Sequence, residues 1–292
     1  MTDAPLDLAV DWFRAQPDMA KRFADAIRQS FDEVFDGQRT GRYSLDQLSK
    51  VEKTYIGTKV EIIVQAEFGL QRGRRMDYLV AGEEGDAKWS IESGGWMIPN
   101  EAVGELCLCM TADDDKSIFS VGIVRADEAR LSGRNQDKKR KLNLGGRAAI
   151  CWLEQRGRLA ENLLLHLDNG KRSAILDNRL SGQKRVNELF RKVHGRLVRR
   201  EVVLTVAQQD DGPKRVRDAR KHLQPEGIVV LGHQKNHPRI AKSLGLIPPP
   251  KGSWIAARLS PALGHEPATV EIEGTHWRLA NDADPILPGP LP

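Results

Sequence analysis

The 292-residue chain has only three cysteines, and their placement excludes the usual cysteine-based architectures. Cys107 and Cys109 alternate within the apolar run Glu-Leu-Cys-Leu-Cys-Met, and Cys151 stands alone. This pattern offers neither a disulfide framework nor a zinc site, so small buried core residues are expected. Long apolar runs are missing too. None approaches the roughly 18 residues that a membrane span requires. The N-terminus, Met-Thr-Asp-Ala-Pro-Leu-Asp, has no basic stretch leading into an apolar core, so no signal peptide is expected and the cytoplasm is the expected location. No Walker A or G-x-G-x-x-G motif occurs, so nothing indicates a nucleotide cofactor. No internal repeat is found.

What is present divides unevenly. Charged residues make up 29% of the chain and the net charge is +5, but the halves differ in sign. Residues 1–155 hold 22 Lys and Arg against 26 Asp and Glu, and residues 156–292 hold 23 against 14. One basic half suits a polyanionic partner. The length suits two domains, with a first domain at 1–155, a linker at 156–170 and a second domain at 171–292.

Apolar residues at three- and four-residue steps over 7–36 predict helix, divided near Pro17. Ser44–Lys53 reads as a short helix capped by Ser44. Thr58–Phe68 reads as another, with a Thr58…Glu61 capping box and a stop at Gly69. The period then shortens. Met76–Ala81 and Glu84–Ile91 read as strands around a turn at Gly82. Leu106–Thr111 and Ser117–Arg125 read as strands flanking an acidic turn, and Arg147–Glu154 as an amphipathic closing segment. The expected fold class is α/β: a mixed-sheet core followed by a mainly helical winged helix-turn-helix domain. The end of the chain, 282–292, carries four prolines and is expected to be loose.

The stretch Met-Asp-Tyr-Leu-Val-Ala-Gly-Glu-Glu-Gly-Asp-Ala-Lys carries the chemistry. Asp77 lies among apolar strand residues, where an acid is costly unless paired or bound to a metal. Asp86 and Lys88 are two apart on the next strand and so share a face. Phosphodiester hydrolysis needs charge stabilisation on the phosphate and a deprotonated water. A hard cation such as Mg²⁺ supplies both and prefers oxygen ligands. The candidate ligands are Asp77, Asp86, the Ala87 carbonyl and Glu61, with Lys88 facing the attacking water. The pattern is that of the PD-(D/E)XK nucleases, and its loose spacing is weak evidence by itself. A solvated surface hairpin is the bland alternative, and a helix cap is the bland alternative for Glu61.

In the second half, Glu201–Gln208, the turn Asp210–Gly212 and Pro213–Leu223 read as helix, turn and basic helix, followed by the strand Gly227–Gly232. The second helix buries Val216, Ala219 and Leu223. It leaves Lys214, Arg215, Arg217, Arg220 and Lys221 around the outside as candidate DNA contacts, or as a merely solvated face. A second basic cluster, Arg134, Lys138, Lys139, Arg140 and Lys141, is either a backbone clamp or a solvated loop. Trp96, in Gly-Gly-Trp-Met-Ile-Pro, is either core or part of a DNA groove. His233 and His237 have metal-like spacing without a third ligand nearby, so a loop contact to DNA is the favoured role.

The blocks Gly57-Thr58, Glu61, Arg-Gly-Arg-Arg-Met-Asp-Tyr-Leu-Val-Ala-Gly, Gly-Asp-Ala-Lys-Trp-Ser and Gly-Gly-Trp-Met-Ile-Pro-Asn-Glu-Ala-Val-Gly-Glu-Leu-Cys-Leu together resemble the NaeI family of restriction endonucleases. The likeness continues through Ser-Val-Gly-Ile-Val-Arg-Ala and Leu-Ser-Gly-Arg-Asn-Gln-Asp-Lys-Lys-Arg-Lys-Leu. It implies Glu61, Asp77, Asp86 and Lys88 as the catalytic set, all of the required residue type. Ala87 stands where that family often has cysteine, a small departure because only its carbonyl should matter. The resemblance also implies a C-terminal CAP-like helix-turn-helix that binds a second copy of double-stranded DNA, and a GC-rich palindromic site. The leading reading is therefore a sequence-specific, homodimeric, Mg²⁺-dependent restriction endonuclease. A repair or modified-DNA-directed nuclease, and a DNA-binding regulator that does not cut, are the alternatives.

Overall fold

The structure, a computed structural model, describes residues 3–133, 138–263, 266 and 268–292. Two compact units emerge: residues 1–35 with 44–162, and residues 36–43 with 163–292. Residues 36–43, which lie well inside the first half of the sequence, thus group with the second unit.

The first unit opens on two helices, α1 (Ala4–Arg14) and α2 (Met19–Phe35). Asp3 caps α1 by accepting from Leu6 N at 3.2 Å. Along α2 the steps from Phe23 to Ile27 to Phe31 to Val34 bury one stripe. Residues Gly37–Thr40 form a short helix, α3, of the second unit. Ser44 caps only a single 3-10 turn, Leu45–Gln47. The next helix, α4, runs over Lys50–Phe68, well before the expected start at Thr58. Its capping box is Ser49 and Glu52, which bond each other's backbone N–H groups at 3.3 and 2.9 Å. Glu61 is therefore mid-helix and free of capping duty. Gly69, at φ +63°, ends α4 as expected.

A six-stranded sheet follows: β1 (Gln71–Arg72), β2 (Tyr78–Val80), β3 (Glu83–Ser90), β4 (Leu106–Asp113), β5 (Ile118–Arg125) and, after the short helix α5 (Leu144–Ala148), β6 (Cys151–Arg158). The strands lie in sequence order, all antiparallel except β3 and β4. The closing segment is a strand because its apolar residues alternate with a period of two. Cys151 and Leu153 pack towards the helices, while Trp152 packs on the opposite face.

One face of the sheet carries Tyr78, Val80, Leu106, Leu108 and Met110 against α1, α2 and α4. The other carries Met76, Cys107, Cys109 and Val124 under Trp96, Ile98 and Leu142. Trp96 is core: it is buried, and its indole N–H donates to Met110 O at 2.8 Å. The acidic turn also turns inward. Asp114 is buried, pairs with the buried Arg28 and accepts from Asn162 Nδ2 at 2.8 Å. An ion pair inside a protein is tolerated when both charges are paired in this way.

The second unit contains α6 (Asn169–Ile175), α7 (Gly182–Lys192), β7 (Leu197–Arg199), α8 (Arg200–Ala207), α9 (Gly212–Leu223), β8 (Ile228–Leu231), α10 (His237–Ser243), β9 (Ser253–Pro261), β10 (Val270–Ile272) and β11 (Thr275–Leu279). It is less purely helical than the sequence predicts. Five strands form one sheet around β9, which pairs with β7, β8 and β11. The expected loose end is tied down. Gly289 N donates to Gln224 O at 2.8 Å, and His237 Nε2 lies 3.0 Å from Pro292 O. His237 is buried and its Nδ1 accepts from Gly232 N at 3.0 Å, so its role is structural. His233 is exposed. No helix among the described residues is long and apolar enough to cross a membrane.

Candidate active site

A two-residue turn sets the site's register. Val80 pairs with Glu83, and the turn residues Ala81 and Gly82 both have positive φ, +52° and +87°. That geometry matches strand twist, but it favours glycine, so Ala81 carries some strain. Because Tyr78 pairs with Gly85, Asp77 falls opposite Asp86. Residues alternate across a strand, so Asp86 and Lys88 share the face of their β4 neighbours Cys107 and Cys109. The Asp77 carboxylate reaches across and accepts from Ala87 N at 2.7 Å. Glu61 comes from α4. That helix is pinned beside the aspartates by the Tyr78 hydroxyl, which donates to Glu61 O at 2.7 Å. Tyr78 had no expected role beyond the core, and its place directly after Asp77 is the signal that could have revealed one.

The site is electrostatically unsettled. Lys88 Nζ lies 2.6 Å from Asp86 Oδ2 and donates to Ala87 O at 3.0 Å. The contact with Asp86 is close but not aligned as a hydrogen bond, so the buried Oδ2 has no hydrogen-bond partner. Burial is the main force on the Asp86 carboxyl. With Asp77 within hydrogen-bonding reach it outweighs the attraction of Lys88, and the pKa is pushed up to about 7. Burial, then Asp77, also raises Glu61, against the opposing pull of Lys88 and Arg72. Burial likewise pushes the Cys107 and Cys109 thiols up, which makes them inert neighbours.

Such a cluster fits a hard divalent cation. Its donors are carboxylate oxygens and one carbonyl, one buried oxygen lacks a hydrogen-bond partner, and Asp77 adds to the burial that raises the pKa of Asp86 and of Glu61. Among the described residues no three His, Cys, Asp or Glu side chains form a ready-made cage. Mg²⁺ does not require one, since it is commonly held by one or two carboxylates together with substrate phosphate and water.

The expected DNA contacts are more mixed. Arg134 lies outside the described residues. Lys138, Lys139 and Lys141 are exposed. Arg140 donates to Ser132 O at 2.8 Å and pairs with Glu128, while its backbone bridges to Ile98. On α9 the stripe Val216, Ala219 and Leu223 is buried as expected, and Lys214, Arg217 and Lys221 are exposed. Arg215 instead forms a two-pronged pair with Asp211 at 3.0 and 2.8 Å. Arg220 folds back onto β8, donating to Val230 O at 2.8 Å.

The family model for the restriction endonuclease NaeI matches residues 7–288. The type II restriction enzyme NaeI of Lentzea aerocolonigenes is 44% identical in an alignment that covers all of this chain and 98% of that protein.

Proposed function

The chain belongs to the NaeI family of type II restriction endonucleases, and from that membership we propose that it cuts double-stranded DNA with Mg²⁺ held by Asp77, Asp86, the Ala87 carbonyl and Glu61. It is a site-specific deoxyribonuclease. The observation that carries the assignment of the site is the buried Asp86 Oδ2, which has no hydrogen-bond partner and lies beside Asp77 and in ionic contact with Lys88. Mg²⁺ bound there supplies Lewis-acid stabilisation of the phosphate and lowers the cost of deprotonating water. Lys88 orients the attacking water and offsets charge developing on the phosphate. Tyr78 keeps Glu61 in place. The β2–β3 turn keeps Asp77 opposite Asp86.

The second unit is read as a winged helix-turn-helix that holds another DNA copy. Support comes from α8, the turn 208–211 and α9 packing through Val203, Val206, Val216 and Ala219, followed by the β8–β9 strand pair. The outward cations Lys214, Arg217 and Lys221 suit phosphate contact. A homodimer would provide two nuclease sites, one for each strand of the duplex.

The test uses phage DNA incubated with the full chain, with and without Mg²⁺, followed by mapping of the ends. Discrete, recurrent ends that vanish with EDTA are expected. Intact DNA, or cleavage only of modified DNA, would overturn the reading.

A further inference from the structure

The face that bears Asp86 and Lys88 carries a further acid one step earlier, Glu84, that the chemistry above does not use. Its oxygens are occupied by backbone. Oε1 accepts from Arg74 N at 2.9 Å, and Oε2 accepts from Met76 N at 3.0 Å and Arg75 N at 3.4 Å. Partial desolvation pushes the carboxyl up, but the three N–H groups outweigh it and hold its pKa below the ordinary value. The cradle leaves no room beside it. A Cβ on Gly73 would stand 2.4 Å from both Glu84 Oε2 and Met76 O. Glu84 therefore organises the loop from Gly73 to Met76, which ends at Asp77.

That loop is cationic. Arg75 is engaged with Glu105. Arg72 and Arg74 are exposed, and neither guanidinium has a hydrogen-bond or ion-pair partner among the described residues. Arg72 pairs with Tyr78 across β1 and β2, so it lies on the face that α4 covers. Its field reaches Glu61. Three clustered carboxylates repel a DNA strand, so fixed cations beside them are needed to seat it. An arginine on an ordered loop does this with two parallel hydrogen bonds to a phosphate.

We propose that residues 72–76 form a phosphate-binding loop built on the Glu84 carboxylate, in which Arg72 and Arg74 hold backbone phosphates of the strand being cut. The inference rests on the endonuclease reading and extends it. Glu84 is a positioning residue, because it acts only through the loop.

The measurement is DNA binding by the full chain in EDTA, as a function of salt, on a labelled duplex containing a site that the wild type cuts. Removing one arginine–phosphate interaction should reduce the slope of log K against log salt by about 0.9. Arg72→Ala and Arg74→Ala should each show that reduction. Glu84→Ala should show close to the two reductions together. Glu84→Gln keeps a carbonyl oxygen for the loop N–H groups and should recover part of the slope. A merely structural glutamate would lower the melting temperature without moving the slope. Wild-type slopes in both arginine variants would overturn the clamp, and a wild-type slope in Glu84→Ala would overturn the cradle. A wild-type chain that cuts no DNA would remove the endonuclease reading and this inference with it.

Discussion

Asp86→Asn and Lys88→Ala are each expected to lower the single-turnover cleavage rate by about 10³-fold or more, equivalent to several kcal/mol of transition-state stabilisation. DNA binding should stay close to wild type. In the proposed mechanism the two side chains act on the cation, the water and the developing charge, whereas affinity for DNA comes mostly from phosphate contacts elsewhere. Asparagine preserves the size of Asp86 and removes the negative oxygen that now lies buried without a hydrogen-bond partner. Loss of folding is therefore not the expected cause. Quench-flow on a single-site duplex checks the rate, and fluorescence anisotropy in EDTA checks the binding. A variant that cuts at the wild-type rate would remove its residue from the mechanism.

A short duplex carrying one recognition site, too short to be cut well, is expected to accelerate cleavage of a slow single-site plasmid. A coupling of 1–3 kcal/mol between two DNA sites corresponds to about 5- to 150-fold. The chain holds two units, with the acid cluster in one and the exposed cations of α9 in the other, and each group is proposed to meet DNA. If the second unit only enlarged a single footprint, one site would suffice. If it grips a separate duplex, that binding can favour the cleavage-competent state, and in binding terms the effect is reciprocal. A scrambled duplex of equal length is the control. Equal plasmid cleavage rates with both duplexes at every concentration would reduce the second unit to an anchor.

The parts of the fold that could be read from sequence are those with local causes. The β2–β3 hairpin follows from a short alternating pattern and a two-residue turn, and with it comes the placement of Asp86 and Lys88 on one face. The buried stripe of α9 follows from steps of three and four. Other features depend on partners far along the chain. β9 is buried over nearly its whole length, so it lacks the polar–apolar alternation of a half-exposed strand, and its partners β7 and β8 lie at least 20 residues away. Arg28 looks like an exposed helix residue until Asp114 meets it. Ser49 and Thr58 both begin an S/T-x-x-E pattern, and nothing local distinguishes them. The structure chooses Ser49 because α4 is long enough to carry Ile56, Val60 and Val64 against the sheet. Glu84 was not legible, because Glu-Glu-Gly after a turn has the composition of a solvated hairpin end. Its role appears only when the loop 73–76 folds over it.

The central claim is that a divalent cation is held at the Asp77–Asp86 pair. Calorimetric titration of Mg²⁺ into the DNA-free chain, in buffers of different ionisation enthalpy, tests it most directly. Burial pushes the Asp86 carboxyl up to about 7, and a ligand must lose its proton to bind a metal. Affinity should therefore rise as pH rises through 7 and level off above it. Binding well below pH 7 should release close to one proton, and binding well above it close to none, while Asp86→Asn should bind the ion far more weakly at every pH. Proton release that does not change with pH, or an Asp86→Asn chain that binds Mg²⁺ as tightly as the wild type, would contradict the account.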